Sequence, residues 1–270
     1  MRAVGVGVYP FVRRGVKVAS VQPRPRGETL APPSMRSPLA DQLCRHAETV
    51  PDLKVRVGVS HAAAAAATAE ELREAVGILV ERAGLRDPSA QGALLALQIA
   101  LCADPERFAE VFPRPEPDEE GDDPPPVPDY GRGRAPTLGE RKSLARRPDR
   151  KLIDRVLRDP HPDVIALLLQ NPRLTEPDVV RLCARRPNVA DVLRQVFCDP
   201  RWSSRPKVRH ALALNPATPV PIVHATIPLL APDEIREIAR DDRVSSAVRR
   251  RCLEVLARLS PLEDPSGQVH

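Results

Sequence analysis

The feature that most constrains this chain is a phrase that occurs twice in its C-terminal half. Residues 161–179 read HPDVIALLLQNPRLTEPDV and residues 205–223 read RPKVRHALALNPATPVPIV, at an offset of 44 residues. Seven of the 19 positions are identical, including Asn171 and Asn215, each of which is followed by proline. This spacing is typical of stacked helical repeats, because one repeat cannot bury its apolar face without a neighbour. The sequence therefore predicts an α-solenoid.

A second, weaker repetition supports the same interpretation. The string Ala-Arg-Arg-Pro occurs at residues 145–148 and again at 184–187, and Asp-Pro pairs begin at Asp159 and at Asp199. The second copy has additional residues around Trp202, which we expect to form a loop on one face of the stack. Each unit of about 40 residues would then contain two or three short helices.

Between these prolines, apolar residues recur at intervals of three and four, the pattern of helices that bury one stripe. Proline falls at the start of successive helices, where its missing N–H would have no intrahelical partner. A diverged third unit is expected from about residue 228 to residue 259. Fold class is thus predicted as all-α, with the solenoid spanning residues 138–260.

The N-terminal part of the chain divides by composition. Residues 1–38 are rich in Pro, Arg and Gly without periodicity, and we predict that they are disordered. Residues 39–112 are predicted to form a small helical unit. Within it, Thr68 and Glu71 have the spacing of a capping box, and Gly84 suits a left-handed helix C-cap.

Two further segments carry too little apolar surface to fold. Residues 113–137 combine prolines with seven acidic residues, and they are predicted to be a linker. Residues 261–270 are predicted to be a disordered tail. Met35 is also a candidate start of the protein, in which case residues 1–34 would not be translated; an intact mass that includes Met1 would exclude this.

Positive charge is concentrated in the repeat segment. Residues 138–260 contain 24 basic and 15 acidic residues, whereas the whole chain has a net charge of +5. Arginine accounts for 36 of the 41 basic residues, a bias that a GC-rich genome would also produce. An anionic partner and a solvated, arginine-rich helix surface both remain as interpretations.

The sequence contains few signs of catalytic or metal chemistry. It has no P-loop, no glycine-rich dinucleotide turn and no HExxH motif, and His210 and His224 are expected to be ordinary boundary residues. Five cysteines occur without a CxxC pair, so Cys183, Cys198 and Cys252 are expected to be small buried residues in a reducing, cytoplasmic compartment. No apolar run reaches the ~20 residues of a membrane span. We therefore predict no cofactor, no metal and no catalytic residues.

The candidate binding residues are arginines near corresponding helix ends and the single tryptophan. If the repeats stack in register, the first two arginine pairs lie close together and could hold phosphates or acidic side chains. Alternatively, these cations interact favourably with the negative ends of helix dipoles at helix C-termini. The tryptophan is either a binding anchor or a residue packed between repeats. The candidates are Arg146, Arg147, Arg185, Arg186, Trp202, Arg249 and Arg250.

Taken together, LLLQNPRLTEPDVV and ALALNPATPVPIV resemble the short-helix, Asn-Pro-punctuated repeats of bacterial HEAT-like (armadillo-type) solenoids, including the leucine-rich-repeat-variant group. The closing DDRVSSAVRRRCLEVLARL resembles a HEAT unit. The resemblance covers residues 138–260. It implies a right-handed stack of helices whose concave side holds proteins or nucleic acid, although the unequal repeat lengths depart from a regular array.

These observations favour a non-enzymatic intracellular scaffold that binds a protein partner through its repeat surface. The alternative is a protein that binds the phosphate backbone of nucleic acid, or a DNA-glycosylase-like HEAT enzyme. A base-removing enzyme needs aromatic walls around an extruded nucleotide. Because Tyr9 and Tyr130 lie outside the repeat segment and Trp202 is the only tryptophan, the glycosylase is the weaker form of this alternative.

An isolated repeat is expected to be unfolded. A synthetic peptide spanning residues 160–204 should give the circular dichroism spectrum of a coil and no cooperative thermal transition, because neighbours on both sides are needed to bury its apolar stripe. A sigmoidal melt of this peptide would contradict the predicted dependence on stacking.

Overall fold

The structure is a computed structural model that describes residues 37–113, 125–130 and 133–259, all within one compact unit. These residues form 15 α-helices and a 3₁₀ turn, with no β-strand among them, which confirms the predicted all-α class. Nearly all of the predicted N-terminal disordered segment, the acidic part of the predicted linker and the predicted tail lie outside the described residues, as does Met35.

Five helices precede the acidic segment and ten follow it. The first five are α1 Pro38–Thr49, α2 Leu53–Ala66, α3 Ala69–Gly84, α4 Pro88–Cys102 and α5 Pro105–Val111. The others are α6 Leu138–Ala145, α7 Arg150–Val156, α8 Pro162–Leu169, α9 Glu176–Ala184, α10 Ala190–Cys198, α11 Pro200–Ser203, α12 Pro206–Leu214, α13 Val220–Thr226, α14 Pro232–Arg240 and α15 Ser246–Leu259, with the 3₁₀ turn at Ile227–Leu229.

The helix starts follow the capping signals in the sequence. The capping box at Thr68 and Glu71 is confirmed: the Glu71 amide donates to the Thr68 hydroxyl at 3.2 Å, and the Thr68 amide donates to the Glu71 carboxylate at 2.7 Å. Asp87 and Asp104, each followed by proline, accept amide hydrogens from the first turns of α4 and α5.

The left-handed cap predicted at Gly84 is wrong. Gly84 is the last helical residue of α3, and a Cβ there would make ordinary contact with Val255 of α15. The positive φ of +65° belongs instead to Arg86. The Arg86 guanidinium donates to the Leu230 carbonyl at 2.6 Å. A hydrogen bond to a distant part of the chain thus accompanies a backbone conformation that residues other than glycine rarely adopt.

Helix α4 is the centre of the N-terminal half. It is apolar on nearly every side and packs against α1, α2, α3, α5 and α10 as well as the 3₁₀ turn. Its buried Gln98 donates to the Ala225 carbonyl of α13 at 2.8 Å. One buried hydrophobic cluster runs from Ala40 in α1 to Ala225 in α13, and a second joins Ala213 of α12 to Val255 of α15.

Asn171, which follows α8, ties that helix to the one at the start of its unit. Its side-chain amide donates at 2.9 Å to the carbonyls of both Ala145 and Arg147, at the end of α6. Its side-chain oxygen accepts the amide of Arg173 at 3.0 Å. The side chain therefore satisfies two carbonyls that a helix end leaves without intrahelical partners.

Asn215 repeats this arrangement after α12. Its side-chain amide donates to the carbonyls of Cys183 at 2.6 Å and Arg185 at 2.9 Å, and its oxygen accepts the amide of Ala217 at 3.0 Å. Asn171 and Asn215 are each 2% exposed. The acceptors at the end of α9 lie one residue earlier than the Ala-Arg-Arg-Pro repetition would place them.

The Asp-Pro pairs also have equivalent turns. Asp159 accepts the amide of His161, and Asp199 accepts the amide of Arg201, both at 2.9 Å. The inserted residues after Asp199 were predicted to form a loop, and this is wrong: they form the one-turn helix α11, which begins with proline under the Asp199 cap. The Asp-Pro signal that starts other helices thus also acts inside the insertion.

Part of the predicted linker packs against the repeat segment. Tyr130 is 3% exposed, and its hydroxyl donates to Asp159 at 2.5 Å. Arg141 donates to both oxygens of the same buried carboxylate at 2.8 and 2.9 Å. Burial and the negative charge of Asp159 raise the pKa of Tyr130. The Asp159 carboxylate is therefore bound by two side chains of the fold, Tyr130 and Arg141.

Replacing either asparagine should destabilise the protein by a similar amount. Asn171→Ala and Asn215→Ala each leave buried carbonyls without a donor, so we expect each to lower the free energy of unfolding by about 1–3 kcal/mol. Urea unfolding followed by circular dichroism measures this. Arg173→Ala, which removes an exposed side chain beside Asn171, is the control; a large loss at one asparagine only would show that their environments differ.

Candidate functional site

The first predicted arginine pair lies on the surface. Arg146 and Arg147 follow α6, are exposed, and have no side-chain ion pair among the described residues. The contact that joins this pair to the rest of the fold is made by the Arg147 backbone, whose carbonyl binds Asn171. The side chains of Arg146 and Arg147 remain available to a partner.

The second pair has a structural contact. The guanidinium of Arg186 donates to the Leu214 carbonyl at the end of α12 at 2.5 Å and lies 3.8 Å from Asp241. This is the position of a cation that satisfies a helix C-terminus, as in the alternative interpretation from the sequence. Among the described residues, the side-chain bonds of Arg186 go to the end of α12 and to Asp241.

Two of the remaining candidates, Arg249 and Arg250, lie on α15, and Trp202 lies on α11. Arg249 forms an ion pair with Asp242 at 2.9 Å, and Arg250 is exposed on α15. Trp202 is 2% exposed and donates its ring N–H to the Leu169 carbonyl at 2.9 Å, with the guanidinium of Arg201 4.3 Å from its ring centre. Trp202 of α11 is therefore packed against the end of α8 and offers almost no exposed aromatic surface.

The structure shows a different set of exposed basic residues, on α7 and in the turn that follows it. This helix buries Ile153 and Val156. On its opposite side, Lys151 and Arg155 are exposed and, being four residues apart, lie on the same face of the helix. Arg158, in the turn two residues beyond the helix end, is also exposed and continues this row of cations.

The neighbouring carboxylates do not neutralise this row. Asp154, on the flank of α7, lies 2.9 Å from Arg150 and 3.3 Å from Arg181. Asp178 of α9 is 2.5 Å from each of the same two arginines, and their guanidinium groups lower its pKa. These four side chains form a closed charge network between α7 and α9.

Arg185, which directly follows α9, is a fourth cation near Arg158. Burial and the positive charge of Arg158 lower the pKa of Arg185, while Asp159 acts in the opposite direction. Asp159 is already bound by Arg141 and Tyr130. We refer to Lys151, Arg155, Arg158 and Arg185 as the basic strip, and none of its side chains has an ion pair with another described residue.

The sequence contains a signal for this strip that is independent of the arginine pairs. Lys151 and Arg155 oppose the apolar Ile153 and Val156 on α7, and Arg158 follows three residues later, just beyond the helix. Their exposure depends on packing, because α7 is mainly covered by α6 and α8, whereas the corresponding α10 also packs against α4.

A shallow depression beside the end of α14 is the other prominent surface feature of the described residues. Three of its lining carboxylates are bound by arginines: Asp241 binds Arg243 at 2.9 Å, Asp242 binds Arg249 at 2.9 Å, and Asp233 binds Arg236. His210 lies 3.3 Å from Glu237 nearby. The basic strip differs from this depression because its charges lack partners of opposite sign.

No family model, curated protein or solved structure matches this chain. Among the described residues, no group of three or more His, Cys, Asp or Glu side chains is arranged to hold a metal ion. None of the helices in that part of the chain is long and apolar enough to cross a membrane.

The repulsion between Arg158 and Arg185 should be measurable as a salt-dependent instability. Arg158→Gln is expected to raise the free energy of unfolding by a few tenths of a kcal/mol at low ionic strength, and less at high salt, because salt screens like charges. Denaturant unfolding at two sodium chloride concentrations tests this. Arg146→Gln, which also removes an exposed unpaired arginine, should change little.

Proposed function

We propose that residues 138–260 form a right-handed α-solenoid of the HEAT type, and that the protein is a non-enzymatic scaffold that binds a protein partner through this surface. The observation that carries the proposal is the shared setting of Asn171 and Asn215. Each joins the end of one short helix to the carbonyls that end another. A bond made twice in the same way supports helices that are added in repeating units.

The buried polar groups support the proposal that this protein binds a partner through the shape of its surface. Asp159, Asp178 and Asp199 are buried, and each is held by arginine, glutamine, tyrosine or backbone groups of neighbouring elements. Buried polar groups with such partners position helices against one another. The side chains free to contact another molecule are those on the outer faces, which is how repeat proteins present extended binding surfaces.

Nucleic-acid binding is the second candidate, and the basic strip favours it. Phosphate groups attract clustered arginines irrespective of base sequence. The positions of the aromatic rings oppose a role on single strands or extruded bases, because Tyr130, Trp202 and Phe197 are all buried. A binder of the phosphate backbone would not need those rings.

Lysine cross-linking of a captured complex tests the proposal. The purified chain should retain one protein in a fixed ratio, and cross-links should reach Lys142, Lys151 or Lys207 in the repeat segment. Lys54 on α2 is exposed and is the internal control. Cross-links confined to Lys54 would place the partner elsewhere.

Duplex DNA titrated at two salt concentrations tests the second candidate. We expect weak binding under the scaffold proposal. Micromolar binding that falls steeply with salt would instead support the nucleic-acid function, since each neutralised phosphate adds to the slope of affinity against salt.

A further inference from the structure

We propose that the basic strip is the docking site for an extended, acidic peptide segment of the protein partner, which places a carboxylate against each of its four cations. This inference rests on the proposed scaffold function and specifies the partner's chemistry. It concerns Lys151 and Arg155 on α7, Arg158 in the turn after α7, and Arg185 after α9.

First, arginines on two other outward-facing helices have carboxylate partners. On α15, Arg251 binds Glu81 at 2.7 Å and Glu254 at 3.2 Å. On α14, Arg236 binds Asp233. The basic strip has four cations without a described carboxylate partner, so this part of the surface lacks the charge compensation present around Arg251 and Arg236.

The second argument is the position of Arg185. It is only partly exposed, yet its nearest charged neighbours include another cation, Arg158, and a carboxylate already bound by Arg141. A bound anion would relieve the repulsion between the two guanidinium groups. Planar guanidinium groups also bind carboxylates through two parallel hydrogen bonds, which favours acidic side chains as ligands.

The third argument is spacing. A helix rises 1.5 Å per residue, which places Lys151 and Arg155 about 6 Å apart along α7. In an extended peptide, residues i and i+2 lie on one side and are separated by about 6.5–7 Å. Acidic residues at every second position of an extended peptide can therefore face Lys151 and Arg155 together.

The flanks of the strip favour a narrow ligand over a nucleic-acid duplex. Asp149 precedes α7 and Asp154 lies on its side, and both are exposed. A duplex carries one charge per about 1.7 Å of its axis and would bring phosphates against these carboxylates. A single peptide chain can pass between them with only its acidic side chains directed at the strip.

The probe for the experiment is a fluorescein-labelled peptide in which glutamate and serine alternate over eight residues. Its binding to the full chain is followed by fluorescence anisotropy at about 50 mM and about 300 mM salt, concentrations that differ severalfold in charge screening. A single-stranded DNA of equal total charge is titrated in parallel. Micromolar or tighter peptide binding, weakened by salt, is the expected result.

Two double variants with the same change in net charge locate the binding site. Arg155→Glu/Arg158→Glu reverses two cations of the strip, and Lys207→Glu/Arg240→Glu reverses two exposed cations outside it. The strip variant should bind the peptide at least about tenfold more weakly, since each exposed ion pair contributes up to about fivefold and reversal adds repulsion. The control variant should change affinity less than about twofold through distant, screened charge.

Several outcomes would overturn the inference: no peptide binding, equal losses in both double variants, or tighter binding of the DNA than of the peptide. Circular dichroism verifies folding of each variant. If the double reversal does not fold, Arg158→Gln replaces it, with an expected loss of about threefold.

Failure of the inference is distinguishable from failure of the scaffold proposal. A captured protein that cross-links to Lys142 or Lys207 and is retained by the strip variant would leave the scaffold intact while excluding the strip as its docking site.

Discussion

This fold depends on hydrogen-bond partners for the terminal amides and carbonyls of its very short helices. Most helices after residue 138 have seven to nine residues, so their unpaired terminal amides and carbonyls make up much of their backbone. Side chains at fixed positions supply the missing partners. Asn171 and Asn215 donate to carbonyls that end another helix, and Asp159 and Asp199 accept amides at the next helix start. Polar residues are therefore what allows aliphatic helices of this length to stack.

The polar groups of the interior are paired with one another, whereas part of the surface carries unpaired charge. Arg141, Gln170 and Tyr130 are directed to buried carboxylates of the fold. The cations of the basic strip are left outside such arrangements, on the exposed side of α7 and just after the ends of α7 and α9. A molecule built in this way offers a partner an arrangement of charge on a rigid support.

Much of the helical layout could be predicted from proline, aspartate and apolar spacing, because these signals act within a few residues. The capping box at Thr68 and the starts of α4 and α5 are examples. The positive φ at Arg86 could not be predicted, because it is accompanied by a bond to Leu230, 144 residues away in sequence. The candidate site was predicted less well than the fold. Arginine pairs were chosen by repetition, whereas exposure of the α7 row depends on which helices cover it.

The contact between Gln98 of α4 and Ala225 of α13 has a consequence for cooperativity. In a simple linear array each unit meets only its neighbours, so ends can fray while the middle persists. Here a helix from the first half is inserted against elements near the other end of the chain, and Gln91 and Arg86 reinforce the closure with bonds to Pro228 and Leu230. The loss of one terminal unit would expose the apolar surface of α4, so the two halves are coupled into a single melting unit.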